Sequence, residues 1–262
     1  MDLTILLVPL LGGAETDAAE ADLSSAHGAL TVRRAPRGGS VPRRRLAGLH
    51  GVSTELVAII EDTTRIGPGW VAAMTAAFAG APRLGAAGGP VLPGASLPPD
   101  HRGLLAFDYG PFTAGYTGDE LPGNALCFRT AALTAALTGA DGVREAEVLT
   151  ALRAAGWTTR YLPEATATYE AADPNSLRSA AQLRQGRAWA GRARQAGRLA
   201  GVAGLARLPA WPVAALRWGR AARRAGPHPA AQAAAARLSL AWAIGEAIGV
   251  VLGPGRGEEA WR

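Results

Sequence analysis

The chain predicts an α/β domain followed by a helical segment rich in arginine and alanine, and three observations carry that expectation. An apolar run from Val57 to Ile60 ends abruptly in Glu61 and Asp62 ahead of the Gly67-Pro68-Gly69 turn, as a buried strand does when it reaches the edge of its sheet. Short apolar runs alternate with helix-length segments as far as Tyr169, the pattern of strands and helices layered on one core. From Asn175 the composition turns to alanine and arginine, broken by Pro209, Pro212, Pro227, Pro229 and Pro254. The expected division is a domain over 1–174 and a helical extension over 175–262.

Taken in order, Leu3 to Pro9 reads as a first strand, and Gly12-Gly13 starts an acid- and alanine-rich stretch through Asp22. Ala29 to Arg33 reads as a second strand, and Arg33 to Arg45, rich in Arg, Pro and Gly, as a loop. A helix over Leu46 to Val52 leads into the strand at Leu56 to Ile60. Trp70 to Ala79 carries Trp70, Met74, Ala77 and Phe78 near helical spacing, and Gly85 to Val91 reads as a strand packed too closely for side chains. Pro93 to Pro122 is loop-rich, of a length that in a compact domain is either functional or mobile. A strand over Ala125 to Phe128, helices over Ala131 to Leu137 and Ala146 to Ala155, a stop at Gly156 and a strand over Thr158 to Leu162 complete the domain. In the extension, alanine supplies helix propensity. Arg184, Arg187, Arg194 and Arg198 recur at spacings that place them on one helical face.

At 262 residues and 48% hydrophobic, the chain can bury a substantial core. All 27 basic residues are arginine, against 21 acids, giving a net charge of +6 and a pI near 10.5. That balance favours anionic partners such as diphosphates or acidic lipid. Nucleic acid is not expected, because the arginines lack interleaved aromatics and no recognised module is present. A single cysteine, Cys127, excludes an internal disulfide and a cysteine-based zinc site, and reads as a small core residue. The N-terminus has no basic stretch or cleavage pattern of a secretory signal. Leu238 to Gly253 is the most apolar window but carries Ser239 and Glu246 and falls short of the roughly 20 residues that span a bilayer, so a buried or interfacial helix is expected.

Four segments hold the residues able to do chemistry: Glu61-Asp62-Thr63; Leu121-Pro-Gly123-Asn124 with the following Leu-Cys-Phe-Arg129; Arg144-Glu145-Ala-Glu147 ahead of Leu149, Leu152 and Gly156-Trp157; and Leu162-Pro-Glu-Ala165. Acids at the carboxyl end of a buried strand sit where open α/β sheets bind ligands. In order and spacing the set resembles the inverting nucleotide-sugar glycosyltransferases of family 2, which have the GT-A fold, a Rossmann-like mixed sheet flanked by helices. The resemblance covers Val41 to Arg198 well and Leu3 to Val8 weakly. The segment up to Ala29 is short for that family's nucleotide-binding half and carries no matching strand-end Asp.

The resemblance implies transfer of a sugar from a nucleotide-sugar to an acceptor hydroxyl with inversion, at the cytoplasmic face of a membrane, with a lipid-linked or bulky acceptor and peripheral membrane contact. It implies Glu145 as the catalytic base. Glu61, Asp62, Gly123 and Asn124 become donor-binding residues, with Arg184 and Arg187 as candidate contacts to a diphosphate or a lipid phosphate. It also implies a divalent metal, Mg or Mn, but Thr63 and Tyr169 stand at the usual ligand positions. Either Asp62 takes over in a shifted register, or arginines neutralise the diphosphate without metal, or the site no longer turns over. The last alternative is a degenerate relative kept as a binding or scaffolding subunit. Glu147, in the first turn of its helix, reads as a complement to the helix dipole.

Overall fold

The computed structural model describes residues 1–26, 30–112, 116, 118, 120–197, 205, 209–213, 216 and 228–255. Arg198, the last member of the expected arginine stripe, lies outside them, as does Ala29. The chain forms two compact units, residues 1–92 with 112–170, and residues 93–111 with 171–262.

The first unit opens β1 (Leu3–Val8), α1 (Gly13–Ala26), β2 (Thr31–Arg34), α2 (Val41–Leu49), β3 (Leu56–Glu61), β4 (Thr64–Ile66), α3 (Trp70–Ala79), β5 (Leu84–Gly88) and β6 (Val91–Pro93). It resumes after an intervening helix with β7 (Ala125–Arg129), α5 (Thr130–Ala136), α6 (Glu145–Ala154), β8 (Thr158–Tyr161) and β9 (Ala167–Tyr169). Six strands build the main sheet in the order β2-β1-β3-β7-β5-β8. Only β7 runs against its neighbours; β2, β1 and β3 are parallel, as are β5 and β8. The architecture is therefore a mixed α/β sheet, mostly parallel and flanked by helices.

Strand alternation divides the side chains between two faces. Leu56, Ala58 and Ile60 join Leu3, Ile5 and Leu7 in a core with Ala19 and Leu23 of α1 and Trp70, Met74 and Phe78 of α3. Val57, Ile59 and Glu61 point the other way, the side on which α2 lies against β1, α5 against β7 and α6 against β8. Cys127 sits in the first core, and burial pushes its thiol pKa well up, so it is an inert packing residue.

Two expectations change in this unit. The Arg33 to Arg45 stretch is not loop throughout, because α2 begins at Val41 and takes in Arg43, Arg44 and Arg45. Ser40 holds the extended N-cap conformation and Pro42 sits in the first turn, where its missing N–H costs nothing. Two helices, α1 and α2, and one paired strand, β2, separate β1 from β3. A small second sheet, β4-β9-β6, was not foreseen, since strands of three residues leave almost no periodicity to read.

The second unit is helical. Its α4 (Pro99–Tyr109) falls inside the stretch expected as loop, where Pro98-Pro99 marks a helix start rather than a break. With α7 (Ser179–Gln195) and α8 (Pro229–Leu252) it forms a three-helix packing in which α8 touches both others. Small residues set the distance. A Cβ on Gly245 would lie 2.0 Å from the Leu183 carbonyl oxygen, one on Gly249 would lie 2.2 Å from that of Arg187, and one on Gly103 would lie 2.6 Å from that of Ala231. Gly245-x-x-x-Gly249 thus seats α7 directly on the α8 backbone. Trp242 fills the space beside these contacts, with its ring 5.9 Å from Phe107 and 6.5 Å from Trp189. By length and composition α8 could cross a membrane, but half of its most apolar window is buried inside the protein.

Gly245→Val is expected to destabilise the second unit by about 1–3 kcal/mol, because backbone rather than a movable side chain occupies the space. Urea unfolding followed by helical circular dichroism reads this directly; an unchanged midpoint would contradict the close helix contact.

Candidate active site

The parallel strands β1, β2, β3, β5 and β8 all end on one edge of the sheet, and antiparallel β7 begins there. Glu61 at the end of β3, the Pro122-Gly123-Asn124 turn before β7 and the loop after β1 are thereby brought together. The Glu61 amide donates to the Asn124 carbonyl at 3.1 Å, and the Asp62 amide to that of Val8 at 3.1 Å.

Helix α2 lies close over this edge because Gly48 admits it: a Cβ there would come 2.6 Å from Leu6 Cδ1. That approach delivers Arg45, whose side chain is only 2% exposed. One terminal nitrogen, Nη2, meets Glu61 Oε1 at 2.6 Å, and the other, Nη1, donates to Glu145 Oε1 at the start of α6. A single buried guanidinium thus joins two carboxylates that lie 84 positions apart in the chain. Burial pushes the Glu61 carboxyl up to about 7, outweighing the Arg45 charge that pulls it down, while Glu145 and Asp62 add to the rise. Gly123 leaves the room that Glu145 uses: a Cβ at 123 would stand 2.8 Å from Glu145 Oε1. Glu147 lies 3.7 Å from Arg144 and points to that neighbour rather than to the centre.

Asp62 does different work. Its carboxylate accepts from the Leu10 amide at 2.9 Å, the Leu11 amide at 3.1 Å and the Thr16 hydroxyl at 2.7 Å, fixing the loop between β1 and α1. Both oxygens are engaged. Thr63 and Thr64 are buried beside it, and Asn124 donates through Nδ2 to Thr64 Oγ1 at 2.9 Å. The Asn124 Oδ1 is buried with no hydrogen-bond partner among the described residues, so it keeps unused acceptor capacity at the edge of the site. Tyr169, buried on β9, pairs with Thr64 across the small sheet.

A divalent cation of the Mg or Mn type needs several hard oxygen ligands, usually with one or two carboxylates free to turn toward it. The donor set here does not fit. Asp62 is committed to three donors, Glu61 and Glu145 share a guanidinium, and the two remaining positions are threonine and tyrosine. Among the described residues no three His, Cys, Asp or Glu side chains cluster as a metal group.

Glu61, Gly123, Asn124 and Glu145 therefore converge, with Asp62 alongside as the buttress of the loop. Arg184 and Arg187 belong to the second unit. Arg184 is exposed, whereas Arg187 Nε donates to the Gly253 carbonyl at 3.1 Å and Arg194 donates to the carbonyls of Val250 and Val251. These two satisfy the C-terminal carbonyls of α8, where cations complement the helix dipole. The expected arginine stripe is in this part a helix cap. Arg45 is the residue that sequence reasoning missed; the signal that could have found it is Ser40-Val-Pro42, an N-cap and first-turn proline that start α2 early.

No protein-family profile matches the chain, and no curated protein matches it. Among solved structures it is similar to the mannosyltransferase PcManGT from Pyrobaculum calidifontis, determined in complex with GDP-Man and Mn2+. The TM-score is 0.52 at 15% identity, covering 95% of this chain and 87% of that one. At that identity the likeness is one of fold alone.

Because Glu61 titrates near 7 in the folded protein, against 4.5 as its reference value, its contribution to stability is fully present below about 4.5 and is lost as pH rises through about 7. Glu61→Gln is expected to remove that component, about 2–3 kcal/mol between pH 4.5 and 8. Denaturant melts of both proteins across this window measure it, and parallel pH profiles would contradict the assignment.

Proposed function

We propose that the protein is an inverting glycosyltransferase of the GT-A, family 2 type, moving a sugar from a nucleotide-sugar donor to an acceptor hydroxyl. The observation that carries this reading is the convergence of Glu61, Glu145, Gly123 and Asn124 at the carboxyl edge of a sheet with a glycosyltransferase's fold, the edge where open α/β sheets take ligands. The neighbour's GDP-Man supports a nucleoside diphosphate sugar as the donor class.

In this mechanism the acceptor oxygen attacks the anomeric carbon as the bond to the diphosphate oxygen breaks, and the nucleoside diphosphate leaves with the bonding electrons. Glu145 takes the acceptor proton. Arg45 holds that carboxylate in place, Gly123 keeps the space before it open, and Asn124 offers its unused oxygen to a sugar hydroxyl. The contribution of such a base is about 10²- to 10⁴-fold.

The arginine bound to Glu145 also favours a second reading, a binding or scaffolding subunit, since the guanidinium already occupies one oxygen of the carboxylate that would have to meet the acceptor hydroxyl. Donor turnover separates the two. Glu145→Gln is expected to lower sugar transfer or donor hydrolysis by about 10²-fold or more while leaving nucleoside diphosphate binding intact. Equal behaviour of variant and wild type, with no donor turned over, would contradict the enzyme.

The division into a domain over 1–174 and an extension over 175–262 is part of the same proposal, with the extension at the cytoplasmic face of a membrane beside a lipid-linked acceptor. Residues 175–262 hold 14 arginines against three acids, net +11, whereas 1–174 hold 13 arginines against 18 acids, net −5. Among the described residues, every exposed large hydrophobic except Met1 lies in the extension: Leu205, Val213, Leu216, Val251 and Leu252. Apolar side chains amid cations suit an anionic lipid surface. Co-sedimentation with phosphatidylserine vesicles is expected to weaken as salt is raised; absence of binding at every ionic strength would retire the membrane role.

A further inference from the structure

The three-residue charge cluster has a consequence for how the site meets a diphosphate, resting on its reading as a donor pocket. We infer that Arg45 is the fixed cation of this site and that the nucleoside diphosphate is engaged without a divalent metal.

A metal bridging the acids to a diphosphate would either draw Asp62 oxygens away from donors they already hold or take up carboxylates that Arg45 already neutralises. Asp62 would release two backbone amides and the Thr16 hydroxyl, and with them the loop after β1. Glu61 and Glu145 would have to share their charge between the metal and a guanidinium that has no room to withdraw, its side chain being almost wholly buried. Like charges at that range repel, and repulsion is strong where water is excluded. Thr63 and Tyr169 add no charge to compensate.

The same arrangement removes the reason for a metal. Two bare carboxylates would repel an incoming diphosphate. Arg45, bonded to both, cancels one of the two charges. The cluster thus presents a reduced negative charge to the donor while still orienting Glu145.

The test combines two measurements on the full chain: uptake of Mn2+ from solution, followed by the electron paramagnetic resonance of the free ion, and calorimetric binding of GDP and UDP in EDTA or in Mn2+. Wild type is expected to take up no Mn2+ in the sub-millimolar range and to bind its nucleotide with affinities that agree within about threefold in the two buffers. Arg45→Met exposes the acids: nucleotide binding in EDTA should fall by about tenfold or more, with recovery in Mn2+. Should that variant not fold, Arg45→Met/Glu61→Gln removes cation and buried acid together; Glu145 then stands uncompensated, and the same loss in EDTA is expected.

Sub-millimolar Mn2+ uptake by wild type that disappears in Glu61→Gln would overturn the inference. Nucleotide binding that vanishes in EDTA would do the same. If neither GDP nor UDP binds in any buffer, the donor-pocket reading fails. Mn2+ uptake by wild type and by Arg45→Met then still decides whether Arg45 keeps a cation out.

Discussion

The structure of the site depends on one buried cation. Arg45 reaches from α2 into the space between the end of β3 and the start of α6, and each of its two terminal nitrogens holds one carboxylate. Without it, Glu61 and Glu145 would be two negative charges brought together in a place with little water, an arrangement that breaking a buried pair typically makes costly by about 3–5 kcal/mol. The bond therefore does more than add an interaction. It allows the acids to occupy the same edge, and it sets the direction in which Glu145 faces.

Several local features exist to make that bond reachable. Gly48 lets α2 settle on β1, Pro42 starts the helix early enough to carry Arg45 inward, and Gly123 clears the volume that Glu145 occupies. Asp62 closes the neighbouring loop by capturing Leu10, Leu11 and Thr16, so the floor beside Glu61 is held by three hydrogen bonds. The helical unit solves a separate problem by a similar means. Gly103, Gly245 and Gly249 bring helices to backbone contact, and the arginines of α7 close the carbonyl end of α8.

Much of this was legible in the sequence wherever the signal was local. The apolar run into Glu61-Asp62, the turn at Gly123-Asn124 and the acids opening the helix at Glu145 each announce an element's end or beginning within a few residues, and those are the residues that meet at the site. Arg45 was not legible, since an arginine in an Arg/Pro/Gly stretch looks solvated until a partner 100 positions away is known to face it. The same holds for Arg187 and Arg194, whose spacing gives a helical face but not the carbonyls of α8 that occupy it. Helix α4 was hidden by Pro98-Pro99, which serves equally to end one segment and to start another. The glycine pair in α8 has no meaning until α7 lies against it.

The most direct measurement is a crystal structure with an intact nucleotide-sugar donor bound. The account predicts the anomeric carbon in front of the Glu145 carboxylate beside Gly123, with Arg45 still bonded to both Glu61 and Glu145. A donor bound away from this edge, or a sugar turned from Glu145 with side chains filling the space between them, would contradict it.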